Sequence, residues 1–193
     1  MSTIGGIHIQ GDATIGRALS NNNLAVPMNQ RSYAWEKTHV TEIFQDFANA
    51  IVNDEPEYFL GSIVVTQKGQ SGRPEVVDGQ QRLATSLILL AAIRDYFYNN
   101  DDPGRAASIE NEFLIVCNLR TQEELPRLQL NAMDHDYFTK RVLLKPKTPE
   151  RMAIKSNRDS HERIDTAAKL AAKHVQSIVA PYSPQEQTNR LID

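Results

Sequence analysis

The sequence predicts an α+β protein in which a small mixed sheet with its helices is followed by a mainly helical region. Three observations predict this. Two runs rich in β-branched residues, 58–66 and 75–77, have strand character. A strongly apolar segment at about 81–98 follows them and has the length of a buried helix. Apolar residues then recur mainly at helical spacing, so we divide the chain into regions 1–100 and 101–193.

The first region should begin with extended chain and continue into a helix. Residues 24–35 are expected to be extended, because Pro27 disfavours helix at the residue before it. Thr38 is placed to cap a helix over 39–52, whose apolar residues recur at helical spacing. That helix should bury one stripe against the core.

A β-hairpin is predicted to lead into the segment that we regard as the functional site. The strand at 58–66 should turn through the polar residues 68–73 and return antiparallel at 75–77. The motif Asp78-Gly79-Gln80-Gln81-Arg82 follows and opens the apolar helix. A helix start exposes unpaired backbone N–H groups, here those of Gln80 to Leu83, so a phosphate is expected there with Arg82 beside it.

The side chains of this motif suit the binding of a phosphate group and its transfer to water. Gly79 allows a backbone conformation or a close approach that a side chain forbids. Arg82 offers a fork of donors to phosphate oxygens and stabilises charge that develops during transfer. Either Gln80 or Gln81 could orient the attacking water. We therefore take Asp78, Gln80, Gln81 and Arg82 as the candidate catalytic residues.

A metal ion and a hydroxyl group complete this candidate site. Asp78 could hold Mg²⁺ directly or through water, and Thr85, one turn into the helix, could add a hydroxyl to the phosphates or the metal. A structural alternative stays open on residue types alone. In it the motif is a tight turn, Asp78 caps the helix and Arg82 forms an ion pair.

A second constellation lies in the extended segment, at Pro27, Gln30, Arg31, Tyr33 and Trp35. Side chains alternate along extended chain, so Arg31, Tyr33 and Trp35 are expected to share one face while Gln30 points to the other. An arginine beside aromatic rings suits a phosphate contact and stacking on a base or ribose. The alternative is that the two aromatic residues anchor the first helix in the core.

The second region is predicted to be mainly helical. The segment 101–104 (Asp-Asp-Pro-Gly) is a break. The elements expected after it are helices at 105–117, 134–144 and 160–179 and a short extended piece at 126–130. Asp134, His135 and Asp136 resemble a metal cluster, but neighbouring residues of one helix point in different directions, and Asp134 is more simply a helix cap.

A local excess of positive charge lies in this second region, although the formal net charge of the chain is −3. Residues 140–163 contain eight Lys and Arg residues against three acidic ones. Such a patch could follow a phosphate backbone. A solvated helix face is the competing interpretation.

Composition excludes several other classes of function. The single cysteine, Cys117, excludes intramolecular disulfides and cysteine-rich zinc sites. Hydrophobic residues make up 40% of the chain, but none of its apolar stretches approaches the roughly 20 residues that span a bilayer. The first residues lack the basic and apolar parts of a signal peptide, so a cytoplasmic protein without a membrane partner is expected.

Three segments in this order and spacing carry a family resemblance: VPMNQRSYAWEKTHVTEIFQDF, YFLGSIVV and VVDGQQRLATSLILLAAIRD. Together they resemble the N-terminal domain of GmrSD-type modification-dependent restriction proteins and of the related SspE-like phosphorothioate-sensing defence proteins. The match covers roughly residues 10–98. The later segments RLQLNAMDHDYF and SNRDSHERI resemble the helical second half of the family more loosely.

The resemblance implies a ParB/sulfiredoxin-like fold whose DGQQR loop binds an NTP with Mg²⁺, and NTP hydrolysis coupled to recognition of modified double-stranded DNA. By resemblance, Gln30 and Arg31 join Gly79 and Thr85 around the nucleotide, and the segment from Pro27 to Trp35 contributes to the nucleotide pocket or to sensing DNA modification. The resemblance also implies that Arg158, His161 and Arg163 contribute to phosphate or DNA contact. An HNH-type nuclease, which these residues do not include, is the implied partner; a homodimer is left open. A nucleotide-gated DNA-binding or interaction module without hydrolysis is the alternative.

Overall fold

The computed structural model describes residues 2–4, 7–9, 14–53, 55, 58–66, 72–118 and 120–192. Its helices are α1 (Ile15–Ser20), α2 (Lys37–Val52), α3 (Gln80–Asn99), α4 (Pro103–Ile109), α5 (His135–Phe138), α6 (Pro149–Ala153), α7 (Asp159–Val179) and α8 (Pro184–Ile192). Two π-helical turns, Glu110–Leu114 and Thr139–Leu143, continue α4 and α5. Helices dominate and strands are short, which confirms the α+β class.

The strands are β1 (Ser2–Ile4), β2 (Ile7–Ile9), β3 (Leu24–Ala25), β4 (Val64–Val65), β5 (Val76–Asp78), β6 (Ile115–Cys117), β7 (Glu124–Pro126) and β8 (Leu128–Gln129). Three pairs are antiparallel: β1 with β2, β4 with β5, and β6 with β7. The pair of β3 with β8 is parallel. An isolated parallel bridge joins Ala25 to Glu75, immediately before β5.

These parallel pairings determine where the site lies. Leu24 pairs with Leu128, so β3 and β8 run side by side in the same direction. The bridge from Ala25 to Glu75 places the approach to β5 on the other side of β3. The carboxyl ends of parallel strands meet at one edge, which is where open α/β sheets usually bind ligands. The residues that follow β3, β5 and β8 therefore converge.

Helix α3 runs through the core, as its apolar circumference predicts. Leu83, Leu87, Ile88 and Phe97 are all buried. Leu83, Leu87 and Ile88 belong to one hydrophobic cluster that also contains residues of α2 and α7, among them Val40, Phe44, Ile164 and Val175. The core thus includes residues on both sides of residue 100, and the division of the chain there stays a prediction. A helix buried in this way gives its first turn a rigid position.

Some element boundaries differ from those predicted. Helix α2 begins after Glu36 rather than at a Thr38 cap, and the Glu36 backbone N–H donates to His39 Nδ1 at 3.3 Å. The predicted strand 58–66 is paired only at Val64–Val65, and the turn predicted at 68–73 lies largely outside the described residues. The helix predicted to reach residue 117 ends at Leu114, because the chain then pairs as β6 with β7.

A buried arginine joins α3 to the second region. Arg94 is fully buried, and its guanidinium donates to the carbonyl oxygens of Val142, Leu143 and Leu144 at 2.9, 3.0 and 3.2 Å. Its Nε lies 2.6 Å from Asp95 Oδ1. These carbonyls end the second π-helical turn and lack partners within that turn. Arg94, a residue of α3, therefore caps the end of the second π-helical turn.

Among the described residues, no helix combines the length and the apolar character that crossing a bilayer requires.

Candidate functional site

A small cleft lies where the three converging segments meet. Its lining comes from the residues after β3 (Val26, Arg31 and Tyr33), from the start of α3 (Gln80, Gln81 and Ala84), and from the residues after β8 (Leu130, Asn131 and Asp134). Its cavity volume is about 10 Å³, which is room for about one water molecule. Any larger ligand would lie across its mouth.

Gly79 shapes the turn that opens α3. Its φ of +86° is in the left-handed region, which disfavours side chains. A Cβ at this position would lie 2.9 Å from Ile63 Cγ1 and 3.2 Å from the Ser62 carbonyl oxygen. The sequence-based expectation of a special conformation or a close approach at Gly79 is therefore met on both counts. The turn packs directly on the hairpin.

We expect Gly79→Ala to lower the free energy of unfolding by about 2–4 kcal/mol, because backbone strain adds to steric overlap. Gly72→Ala is the matched control, since Gly72 has a φ of +76° but open space around the new Cβ. That variant should cost about 1 kcal/mol from strain alone. Urea unfolding of both variants checks this, and equal losses would show that the close approach at Gly79 contributes nothing.

The first turn of α3 supplies backbone donors, although fewer than predicted. The N–H of Leu83 donates to the Gly79 carbonyl at 3.0 Å, so it is engaged in the helix. The N–H groups of Gln80, Gln81 and Arg82 precede the first intrahelical bond, as at any helix start. With the positive end of the helix dipole, these groups favour an anion near the cleft.

Arg82 and Asp78 face the hairpin. Arg82 Nη2 donates to the Ser62 carbonyl oxygen at 2.6 Å and lies 3.5 Å from Asp78 Oδ2. The side chain of Asp78 is 68% exposed. The described residues that line the cleft include neither of the two. This arrangement matches the ion pair of the structural alternative, whereas the helix is capped by Gly79 and not by Asp78.

The two glutamines of the motif have different environments. Gln81 Oε1 accepts from the Ala34 N–H at 2.8 Å, and its Nε2 donates to the Ser32 carbonyl at 3.4 Å. Gln81 therefore holds the extended segment in place. Gln80 Nε2 approaches Gln30 Oε1 at 3.4 Å, but the buried Gln80 Oε1 has no hydrogen-bond partner among the described residues. An unpartnered buried acceptor beside a cleft that has room for one water is a natural water site.

The extended segment contributes one cation and one buried aromatic residue to the cleft. Arg31 is exposed, and in the part of the chain that the structure describes it forms neither a hydrogen bond nor an ion pair. Tyr33 is 3% exposed, and its hydroxyl lies 2.8 Å from Thr85 Oγ1. Burial raises the pKa of the Tyr33 phenol to about 12, so it stays protonated near neutral pH. Tyr33 thus belongs to the core and to the cleft wall at once.

The remaining residues of this segment divide between the cleft and its surroundings. The Gln30 side chain donates to the Val77 carbonyl at 3.2 Å, and its N–H donates to the Pro27 carbonyl at 3.0 Å in a turn. Trp35 is half-buried and stacks on His39 with a centroid distance of 6.2 Å. Trp35 is not among the described residues that line the cleft with Arg31 and Tyr33. Packing favours an anchoring role for Trp35.

Three walls enclose the cleft, one from each of the three segments that line it. Sequence reasoning missed the wall formed by the residues that follow β8. The carboxylate of Asp134 is 1% exposed, and its two oxygens accept from the Tyr33 N–H at 2.7 Å and from Ser160 Oγ at 2.5 Å. Asp134 occupies the position before α5, but its side chain makes no capping bond there. The available signal was the run of polar residues that follows the extended piece at 126–130. This run comes just after a strand, as Gly79 comes directly after β5.

The two predicted DNA-contacting arginines lie at the start of α7. Arg158 precedes the helix and is exposed, with its Nε 3.5 Å from Asn157 Oδ1. Arg163 lines a separate groove of mixed charge beside Glu36 and Lys37. Both therefore lie outside the cleft. Arg158 comes just before α7 and Arg163 lies on it, and the first turn of this helix bonds to Asp134 through Ser160.

The described residues contain no group of three or more His, Cys, Asp or Glu side chains that could hold a metal ion. Asp134, His135 and Asp136 therefore do not form such a group in this structure. A Mg²⁺ ion that arrives with a nucleotide usually needs one or two carboxylates besides phosphates and water. The exposed Asp78 fits that limited requirement.

The fold and the site define an α+β domain with an anion-suited cleft at the carboxyl ends of parallel strands. A family model described as "GmrSD restriction endonuclease, N-terminal domain" matches residues 15–190. The chain therefore belongs to this family and is a component of a restriction system, which implies DNA and a nuclease as partners in general. None of the curated proteins searched matches the chain.

Proposed function

We propose that this chain is the NTP-binding and hydrolysing sensor of a modification-dependent restriction system. In this proposal the triphosphate lies across the mouth of the cleft, against the first turn of α3. The observation that carries it is that one cleft joins an exposed arginine, Arg31, to a helix start. Exposed N–H groups and a guanidinium are the two donors that phosphate binding uses most.

We assign a role to each candidate residue from the contacts that it makes. Arg31 takes the phosphate contact, because Arg82 is engaged with Ser62 in the present arrangement. Gln80 orients the attacking water through its unpartnered Oε1, and Gln81 holds the wall that carries Arg31. Thr85 supports Tyr33 through its hydroxyl and contributes to the phosphates only indirectly.

Metal and partners complete the proposal. Asp78 would hold Mg²⁺ together with phosphate oxygens and water, which neutralises charge on the leaving group. Modified double-stranded DNA would contact the exposed cations near the start of α7, including Arg158 and Arg163. An HNH-type nuclease would act downstream. The ParB/sulfiredoxin-like relationship and a homodimer stay predictions.

The test is phosphate release from each of the four NTPs, with and without modified DNA. We expect turnover in the unmodified protein, stimulation by modified DNA, and a loss of about 10–100-fold in kcat/KM for Arg31→Ala, the effect of losing a charge-assisted hydrogen bond of 1.5–3 kcal/mol. Arg105→Ala is the control for loss of a surface arginine. Equal activity of the two variants would contradict the assignment of Arg31.

One observation favours a second candidate, a nucleotide-gated module that binds without hydrolysis. Two of the four candidate catalytic side chains, Gln81 and Arg82, are bonded to backbone atoms. If Gln81 and Arg82 keep these bonds when nucleotide is present, few side chains remain to stabilise the phosphoryl group during its transfer to water. Nucleotide binding that depends on Arg31 without any phosphate release would identify this module.

A further inference from the structure

Asp134 connects two parts of the chain that the proposed function uses separately. Its Oδ2 accepts from the backbone N–H of Tyr33, two residues after Arg31. Its Oδ1 accepts from the hydroxyl of Ser160, the second residue of α7. One carboxylate thus bonds both the wall that presents Arg31 and the first turn of the helix that follows Arg158.

The surroundings of Asp134 make this connection rigid. Its backbone N–H bonds to Asn131, and the Asn131 side-chain amide donates to the Gln30 carbonyl at 3.1 Å. His161 Nε2 lies 3.0 Å from the Met133 carbonyl, and the His161 ring stacks on Tyr137 at a centroid distance of 4.1 Å. Burial strengthens such bonds and makes an unpaired carboxylate costly, so the parts move together.

We propose that Asp134 is a positioning residue that fixes Arg31 over the cleft and couples it to the start of α7. A contact that displaces the first turn of α7, such as binding of a phosphate backbone near Arg158, would also displace Ser160. Through Asp134, this movement would shift the wall of the cleft that carries Arg31. The coupling rests on the proposed function in one respect, namely that Arg31 contacts the triphosphate. Asp134 itself need not touch the nucleotide.

A double-mutant cycle tests the coupling. The probes are ATP and GTP with Mg²⁺, and the variants are Ser160→Ala, Arg31→Ala and the double variant, with Ser156→Ala as the control at an exposed serine. We expect Ser160→Ala to raise the Kd for the nucleotide about tenfold and the double variant to bind it no worse than Arg31→Ala. The reason is that the bond of Ser160 to Asp134, which we call the latch, acts through Arg31. Additive losses, or Ser160→Ala equal to its control, would overturn the proposal.

Hydrogen exchange of the Tyr33 amide tests the latch without any nucleotide. We expect Ser160→Ala to speed this exchange at least tenfold while Ser156→Ala leaves it unchanged, and Asp134→Asn to act in the same direction wherever it folds. Unchanged protection in Ser160→Ala would overturn the latch. If the unmodified protein binds neither ATP nor GTP, the proposed function fails for these nucleotides, and this exchange measurement still decides whether the latch exists.

Discussion

Arg94→Met is expected to lower the free energy of unfolding by about 3–5 kcal/mol. The substitution leaves two buried carbonyl oxygens, those of Val142 and Leu143, without their Arg94 donor, and each such loss costs about 1–3 kcal/mol. The Leu144 carbonyl keeps Arg151 Nη1 as a donor at 2.8 Å. Asp95 keeps Arg151 as a partner at 2.5 Å, so not every contact of the cluster is lost. The sum still reaches the range measured for breaking buried ionic clusters.

The matched control is Arg105→Met. Arg105 pairs with Asp102 at 2.5 Å, but its side chain is 46% exposed, and surface pairs contribute about 0–1 kcal/mol. Urea denaturation of both variants measures the difference. Comparable losses in the two would mean that the contacts of Arg94 are no stronger than a solvated ion pair, and the proposed capping of the π-helical turn would be wrong.

Gln80→Met is expected to reduce kcat for NTP hydrolysis about 100-fold while Kd for the nucleotide changes little. The substitution keeps the length of the side chain but removes the Oε1 that we assign to the attacking water. Positioned groups of this kind typically contribute factors of 100 to 10,000. Single-turnover phosphate release, measured beside equilibrium binding, separates the two quantities.

Gln81→Met distinguishes the two glutamines. Loss of the Gln81 side-chain amide breaks the bonds to Ser32 and Ala34, which displaces the wall that carries Arg31. We therefore expect weaker nucleotide binding and a smaller effect on kcat than in Gln80→Met. The reverse pattern, with kcat lost in Gln81→Met and retained in Gln80→Met, would transfer the water-orienting role to Gln81.

The sequence was sufficient to predict the elements that local pattern determines. The hairpin of β4 and β5, the special backbone at Gly79 and the buried α3 follow from residue type and spacing, and the structure has all three. The break at residues 101–104 also appears, with Asp102 accepting from the Arg105 N–H at 3.1 Å at the start of α4. Such features depend on neighbours in the chain.

The third wall of the cleft could not be predicted in the same way. The parallel pairing of Leu24 with Leu128 joins residues about a hundred positions apart, and local pattern carries no record of it. Asp134 was therefore interpreted as a helix cap, because its distant partners Tyr33 and Ser160 are not visible in sequence. The orientation of Arg82 toward Ser62 has the same cause, since the residue type alone suits phosphate equally well.

The distance along the chain between the three walls has a consequence during protein synthesis. Arg31 and Gln80 leave the ribosome well before Asp134, so a nascent chain that ends before that residue has two walls and no complete cleft. A ligand that bridges all three walls binds only the finished fold and stabilises it by mass action. Under the proposed function, nucleotide occupancy would therefore mark chains that have been completed and folded, and interrupted chains would stay unable to respond.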